Sequence, residues 1–272
     1  MKHEVMGALA LALLAAMPVA AQGTSRTLVA VFAHPDDETS AAPVLARYAR
    51  EGVQVYLIIA TDGAAGGSYT SIPRGPELAR ARADEAACAA TALGAKPPIL
   101  LGFPDAQLGN YAEDATRVYR LTQRIQEELQ RLGPDVLITW GPDGGTGHPD
   151  HRLVSSIVTQ LVRAGATGAP EHLFYSAIPV EGMRAMNPGR GEPPFLVPQA
   201  KYFTTRVPFT PADGDAAVRS MACHKTQYSA EVVERISGVA KSVLNGVLPL
   251  APAFAADAGS DLFGSAQEVK KK

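Results

Sequence analysis

With 25 Lys and Arg against 27 Asp and Glu, the 272-residue chain carries a formal net charge of −2. It therefore has no basic surplus to hold a nucleic acid or an anionic lipid surface. Two cysteines, Cys88 and Cys223, are too few for a disulfide scaffold, and there are no internal repeats.

The N-terminus reads as an address. Lys2 precedes an apolar run from Met6 to Met17, Pro18 breaks it, and Val19-Ala20-Ala21 offers small residues at a cleavage position before Gln22. The run is shorter than the ~20 residues of a comfortable membrane span. These features predict a signal peptide over residues 1–21, an exported protein (periplasmic or extracellular) and no stable membrane span after cleavage. In an oxidising compartment the two cysteines can pair, but Cys88 also suits a small buried position in an alanine-rich helix. The remaining chain of about 250 residues suffices for one large α/β domain, here 22–248. Residues 249–272 are small, proline-bearing and end in three lysines, which predicts a loosely ordered tail.

The first element is a strand, Thr27 to Phe32, an apolar run that stops at Ala33-His34-Pro35-Asp36-Asp37-Glu38. Three adjacent carboxylates repel one another, so a buried cluster of this kind calls for a cation or a shared proton. Thr39 to Glu51 predicts a helix ended by Gly52, and Val53 to Ala60 a second strand closed by Thr61-Asp62-Gly63. Gly63, Gly66 and Gly67 suggest a phosphate cradle, but their spacing matches neither a dinucleotide fingerprint nor a P-loop, and a flexible rim of the site is expected instead. Glu77 to Leu93 predicts a helix stopped by Gly94. Ile99-Leu100-Leu101 is a short strand running into Gly102-Phe103-Pro104-Asp105. Asp114 to Leu132 is an amphipathic helix with Val118, Leu121, Ile125 and Leu129 on its core stripe.

Asp135 to Trp140 is the next strand. It opens into the glycine-rich turn Gly141 to Gly147, then His148-Pro149-Asp150-His151-Arg152, and a helix from Leu153 to Arg163. His172 to Ile178 predicts a strand, Pro179 to Pro198 a long loop, Lys201 to Val207 an edge strand and Pro211 to Cys223 a helix before His224-Lys225-Thr226-Gln227. Strands alternating with helices predict an α/β fold, Rossmann-like, with a mostly parallel sheet covered by helices on both faces.

In such a sheet the two polar clusters lie on one rim, where ligands bind. A catalytic zinc takes three ligands from His and carboxylate, keeps one position open, and works beside a free carboxylate that accepts a proton. His34, Asp37 and one histidine of the second cluster can bind Zn2+, which leaves Asp36 as a base. The other histidine is then an oxyanion donor or a general acid, with Asp150 holding its tautomer. Glu38 is expected to favour the N-terminus of the following helix. Alone, a His-Pro-Asp-Asp is a helix-capping turn and a His-x-x-His is two surface histidines; their pairing at two strand ends is what points to chemistry.

The pair Ala33-His34-Pro35-Asp36-Asp37-Glu38 and Gly147-His148-Pro149-Asp150-His151-Arg152 resembles the LmbE/PIG-L family of zinc-dependent N-deacetylases. Thr61-Asp62-Gly63, Arg82-Ala83-Asp84-Glu85, Leu101 to Asp105 and His224 to Gln227 add weaker matches, from about Thr27 to Gln227. The resemblance implies a Rossmann-like fold and hydrolysis of an N-acetyl group on an N-acetylglucosamine-type unit. It implies His34, Asp37 and His151 as metal ligands, Asp36 as general base, and His148, backed by Asp150, as the residue that stabilises the tetrahedral intermediate and protonates the amine. Arg82, with Arg80 as the other choice of register, corresponds to an arginine that binds substrate. Where several members carry an oxyanion tyrosine, this chain has Thr146, and that departure motivates a second expectation: a metal-bearing carbohydrate-binding protein without turnover. Asp36-Asp37 and the glycine loop motivate a third, a metal-dependent phosphoesterase. The expected partner is a small-molecule or glycan substrate; oligomeric state is not encoded in any of these patterns.

Overall fold

A computed structural model describes residues 26–176 and 198–254 and the isolated positions Arg184, Leu196 and Leu262. The predicted signal peptide and most of the Pro179 to Pro198 loop fall outside them.

Seven strands form one sheet in the order β3-β2-β1-β4-β5-β7-β6. They are β1 (Thr27–Phe32), β2 (Gln54–Thr61), β3 (Ile99–Phe103), β4 (Val136–Trp140), β5 (His172–Ser176), β6 (Thr205–Pro208) and β7 (Val247–Pro252). The first five are parallel, and β7 runs antiparallel to both β5 and β6. The helices are α1 (Ala42–Arg50), α2 (Pro76–Leu93), α3 (Arg117–Leu132), α4 (Pro149–Arg163), α5 (Pro211–Cys223) and α6 (Ala230–Leu244).

β1 explains why the sheet is covered on both sides. All six of its residues are buried. Leu28, Ala30 and Phe32 join Val44, Leu45 and Tyr48 of α1 and Leu93 of α2 on one face. Val29 and Val31 join Leu121, Ile125 and Leu129 of α3 and Val154 and Val158 of α4 on the other. Each of these fully buried side chains contributes about 1.5–3 kcal/mol of transfer free energy.

The important consequence is topological. β1 has β2 on one side and β4 on the other, so chain order reverses between β1 and β4. Open parallel sheets bind ligands at such a switch point, beyond the strands' C-terminal ends. The two polar clusters follow these two strands.

Five boundaries differ from the sequence reading. β6 begins at Thr205, not Lys201, because Ala200–Tyr202 form a 3-10 turn. The helix after β1 is preceded by a 3-10 turn, Asp37–Ser40, and α1 proper begins at Ala42. α3 starts at Arg117 because the Asp114 carboxylate takes the Thr116 N–H and hydroxyl, which holds that stretch in a turn. α4 starts at Pro149, four residues before Leu153, because the His148 ring accepts the Asp150 N–H and proline suits the first helical position. Finally, the expected tail beginning at 249 is structured at its start: Pro249 to Pro252 lie inside β7, with Leu250 fully buried. Prolines disguised this strand, since a proline donates no ladder hydrogen bond.

Candidate active site

The turn after β1 is tied to its own backbone. One oxygen of Asp37, Oδ2, accepts the N–H groups of Ala33 and His34 at 3.0 and 2.9 Å. Oδ1 is left free and lies 3.1 Å from His151 Nε2. His151 comes from the first turn of α4, and its Nε2 lies 2.9 Å from His34 Nδ1.

The outer contacts of each ring decide what this meeting means. His151 Nδ1 faces the Gly144 carbonyl at 2.8 Å; a carbonyl only accepts, so Nδ1 carries the proton and Nε2 keeps its lone pair. His34 Nε2 lies at ion-pair distance from two carboxylates, Asp105 Oδ1 at 3.0 Å and Asp150 Oδ2 at 3.6 Å, which favour a proton on Nε2 and so a lone pair on Nδ1. Two imidazole lone pairs and a carboxylate oxygen therefore converge on one point. Uncompensated, that arrangement is repulsive, and it is the donor set of a divalent metal.

Other groupings also bring donors together: His34 with His148 and His151, and His34 with Asp105 and Asp150, each within 4.8 Å. Neither has the right lone pairs. His148 Nδ1 accepts the Asp150 N–H at 3.1 Å, so its proton sits on Nε2. Asp105 and Asp150 face the protonated nitrogen of His34.

The electrostatics show the same demand for positive charge. Burial lowers the affinity of His34 for a proton, but its bonds to Asp105 and Asp150 and the Asp37 charge overcome this and raise its pKa to about 10. Burial would raise the Asp37 carboxyl, yet His151 and His34 hold it well below the usual range. Asp105 behaves alike: burial opposes ionisation, and His34 outweighs it, lowering the carboxyl to about 2.

Asp36 is built differently. Its backbone is left-handed, φ 115° and ψ −18°, a conformation that costs a non-glycine residue about 1–3 kcal/mol. Its N–H donates to Glu38 Oε2 at 3.1 Å, and its Oδ1 accepts from Arg82 Nη2 at 3.1 Å. Burial pushes its carboxyl up to about 6, with Arg82 pulling the other way and Asp37 adding to the rise. A carboxylate of that affinity suits a general base near neutral pH.

Several residues do something other, or more, than expected. Glu38 lies in the first turn of the 3-10 helix and accepts the N–H of its N-cap residue Asp36, but it does more than that. It is buried, accepts from His224 Nε2 at 2.7 Å and Ser220 Oγ at 3.1 Å, and so anchors the strained Asp36. Asp150 supports His148 through its backbone N–H, while its carboxylate faces His34. Arg82 is only 2% exposed and spends its guanidinium on the Pro35, Gly63 and Gly66 carbonyls as well as Asp36. It orients the base from beneath. The same bonds show that Gly63 and Gly66 turn carbonyls, not N–H groups, inward, which is the reverse of a phosphate cradle. Cys88 and Cys223, left open by the sequence, form a disulfide between α2 and the end of α5.

Several participants were missed. Asp105 ends β3 with the same polar stop that marked the other clusters, and that signal identified it without giving it a role. Trp140 stacks on His151, ring centroids 5.0 Å apart and planes within 10°. Gly145, at φ 63°, is what lets the turn pass the indole: a Cβ there would sit 2.3 Å from the ring. Glu38, His224 and Ser220 meet across more than 180 positions of sequence, and no local pattern joins them. Thr146 lies close to His151 Nδ1, 3.3 Å from its hydroxyl.

His34, Asp36, Asp37, Arg82, His148 and His151 line one cavity of about 480 Å3.

Comparison with known proteins agrees with this layout. Residues 29–162 match the family described as PIG-L, GlcNAc-PI de-N-acetylase. The 1D-myo-inositol 2-acetamido-2-deoxy-alpha-D-glucopyranoside deacetylase of Rhodococcus jostii (strain RHA1) is 35% identical over 159 residues, 52% of this chain and 54% of that protein. The chain thus spans about half the length of the curated relatives it matches. Among solved structures, N,N'-diacetylchitobiose deacetylase from Pyrococcus horikoshii superposes with a TM-score of 0.64 at 16% identity, covering 84% of each chain. The 4-carboxy-2-hydroxymuconate hydratase GalB of Pseudomonas putida KT2440 does so at 0.59 and 17% identity, covering 84% of this chain and 94% of its own. These structural likenesses establish the fold, a mixed α/β sheet, which carries more than one chemistry among those neighbours.

Proposed function

From a chain whose residues 29–162 match the PIG-L family, we propose a zinc-dependent hydrolase that removes an N-acetyl group from an amino sugar of the N-acetylglucosamine type or a related small amide. The observation that carries this reading is the convergence of two imidazole lone pairs and one carboxylate oxygen beside a poised base and an independent donor. His34, Asp37 and His151 would hold the metal, and these residues fit it because their other bonds already fix the tautomers that binding needs. Bound there, Zn2+ supplies Lewis acidity that polarises an amide carbonyl and lowers the pKa of water.

The chain's own residues supply the remainder. Asp36 takes a proton from the attacking water while Arg82 and Glu38 keep it aimed into the cavity. His148 is pulled below the ordinary histidine pKa by burial and by His34 and His151, so it is neutral at pH 7. With Nδ1 accepting from Asp150, its Nε2–H is a hydrogen-bond donor to the oxygen of the tetrahedral centre. The proton on Asp36 is then available to the departing amine. Thr146 Oγ1 faces the protonated His151 Nδ1 at 3.3 Å and can only accept from it, so the donor whose own bonds fix its direction is His148. Arg82 reaches substrate through Asp36, whose position it sets.

We also propose that the protein is exported; the Cys88–Cys223 bond supports an oxidising compartment. No helix among the described residues is long and apolar enough to cross a membrane.

Chelator-treated protein should release no acetate from N-acetylglucosamine glycosides and should recover with Zn2+. Glycoside binding with full metal content but no acetate release would favour the non-catalytic reading that Thr146 motivates.

A further inference from the structure

Besides the polar groups of the strand ends, the cavity has a hydrophobic wall supplied by one helix. Ile236, Val239, Ala240, Val243 and Leu244 of α6 line the same space as Asp36 and His148. Their spacing, three and four residues apart over two turns, is one continuous helical stripe. In an ordinary surface helix such a stripe is spent on the core. Here Val233 is its one buried residue among those described and Leu244 packs against the core, the helix lies on α5 and β7, and of the stripe Ile236, Val239 and Ala240 stay half-buried and Val243 50% exposed. The wall offers no donor or acceptor. A sugar hydroxyl pressed against it would lose its water without gaining a partner, whereas an alkyl or aryl group would gain from burial.

We infer that the substrate is an amphiphile, an acetamido sugar or small amide carrying an apolar substituent that lies along α6 while the amide sits among the polar residues. The occupant is placed there by continuity, since wall and base share a single cavity. The amide half of the inference rests on the deacetylase reading; the apolar half rests on α6.

The two halves separate experimentally. Acetate release from methyl, butyl and hexyl 2-acetamido-2-deoxy-D-glucopyranosides, in both anomeric forms, gives kcat/KM against chain length. In one anomeric series kcat/KM should rise by about fourfold for each methylene that the wall covers. The hexyl to methyl ratio should collapse in Val239→Ser and Val243→Ser. Independently of turnover, hexyl 2-amino-2-deoxy-D-glucopyranoside should change the fluorescence of Trp140, the single tryptophan and a lining residue, at a lower concentration than its methyl counterpart. Acetate release with no dependence on chain length would overturn the inference and leave the deacetylase reading intact. No acetate from any glycoside, with chain-length-dependent fluorescence, would keep the apolar subsite and remove the deacetylase. If hexyl glycosides leave the fluorescence unchanged while Val243→Asp converts an oligomer to a monomer, the stripe belongs to a second copy, and the inference falls.

Discussion

The two strand ends that build the site hold their residues by opposite means. Beyond β1, Asp37, Glu38 and Asp36 are locked by backbone N–H groups, by Arg82 and by the His224–Ser220 anchor, at the expense of a strained backbone. Beyond β4 the chain turns through Gly144, Gly145 and Gly147, all at positive φ, and ends on a helix cap made by His148 itself. The first arm fixes charge. The second sends back one metal-facing ring, His151, fixed by the Gly144 carbonyl and the Trp140 stack, and presents another, His148, whose donor faces the cavity. The difference shows how the labour is divided: groups that hold cation and proton are over-determined, and the group that meets the substrate is held by one bond.

The sharpest test of that division is His148→Ala. Removing a single oxyanion donor costs about 10²–10³ in kcat, and metal content should be unchanged. Loss of metal along with activity would place His148 among the groups that hold the cation. Next in size is Asp105→Asn, which weakens the carboxylate that holds the His34 proton. Metal affinity should drop by roughly 10–100-fold, read by chelator competition.

The disulfide backs the first arm, since Cys223 precedes His224. Serine at both Cys88 and Cys223 should cost about 2–5 kcal/mol in denaturant unfolding. Activity should decline alongside if the anchor on Glu38 depends on it. The smallest effect lies farthest away, at the start of α5, where Thr210 and Asp213 form a capping box and Arg50 grips Asp213 at 2.8 Å. Thr210→Ala should cost about 1 kcal/mol. Burial raises the Asp213 carboxyl, but Arg50 first and Thr210 second outweigh it and hold it below the usual range. A depressed folded pKa gives stability that is present above the unfolded value and lost as pH falls through the folded one. The wild-type melting temperature should therefore fall more steeply than that of Asp213→Asn below about pH 4.

Much of this was legible in the chain. A strand that stops in charged residues marks the rim of a parallel sheet, and two such stops carried His34, Asp36, Asp37, His148 and His151 into one place. What was hidden is what depends on geometry across the fold. The sequence shows that Asp150 is near His148; only the helix cap shows that its N–H, and not its carboxylate, faces that ring. Glu38 reads as a helix-start acid until α5 brings His224 onto it. Arg82 reads as a surface or substrate arginine until Gly63 and Gly66 fold their carbonyls around it. β7 is invisible to a reading by propensity because its pairing is decided by Leu250 and its neighbours rather than by its prolines.

The account stands most directly on Asp36. Asp36→Asn keeps shape and every metal donor while removing the base, so it should bind one Zn2+ per chain with wild-type affinity and release acetate about 10²–10⁴-fold more slowly. A variant that retains its zinc and deacetylates at the wild-type rate would contradict it.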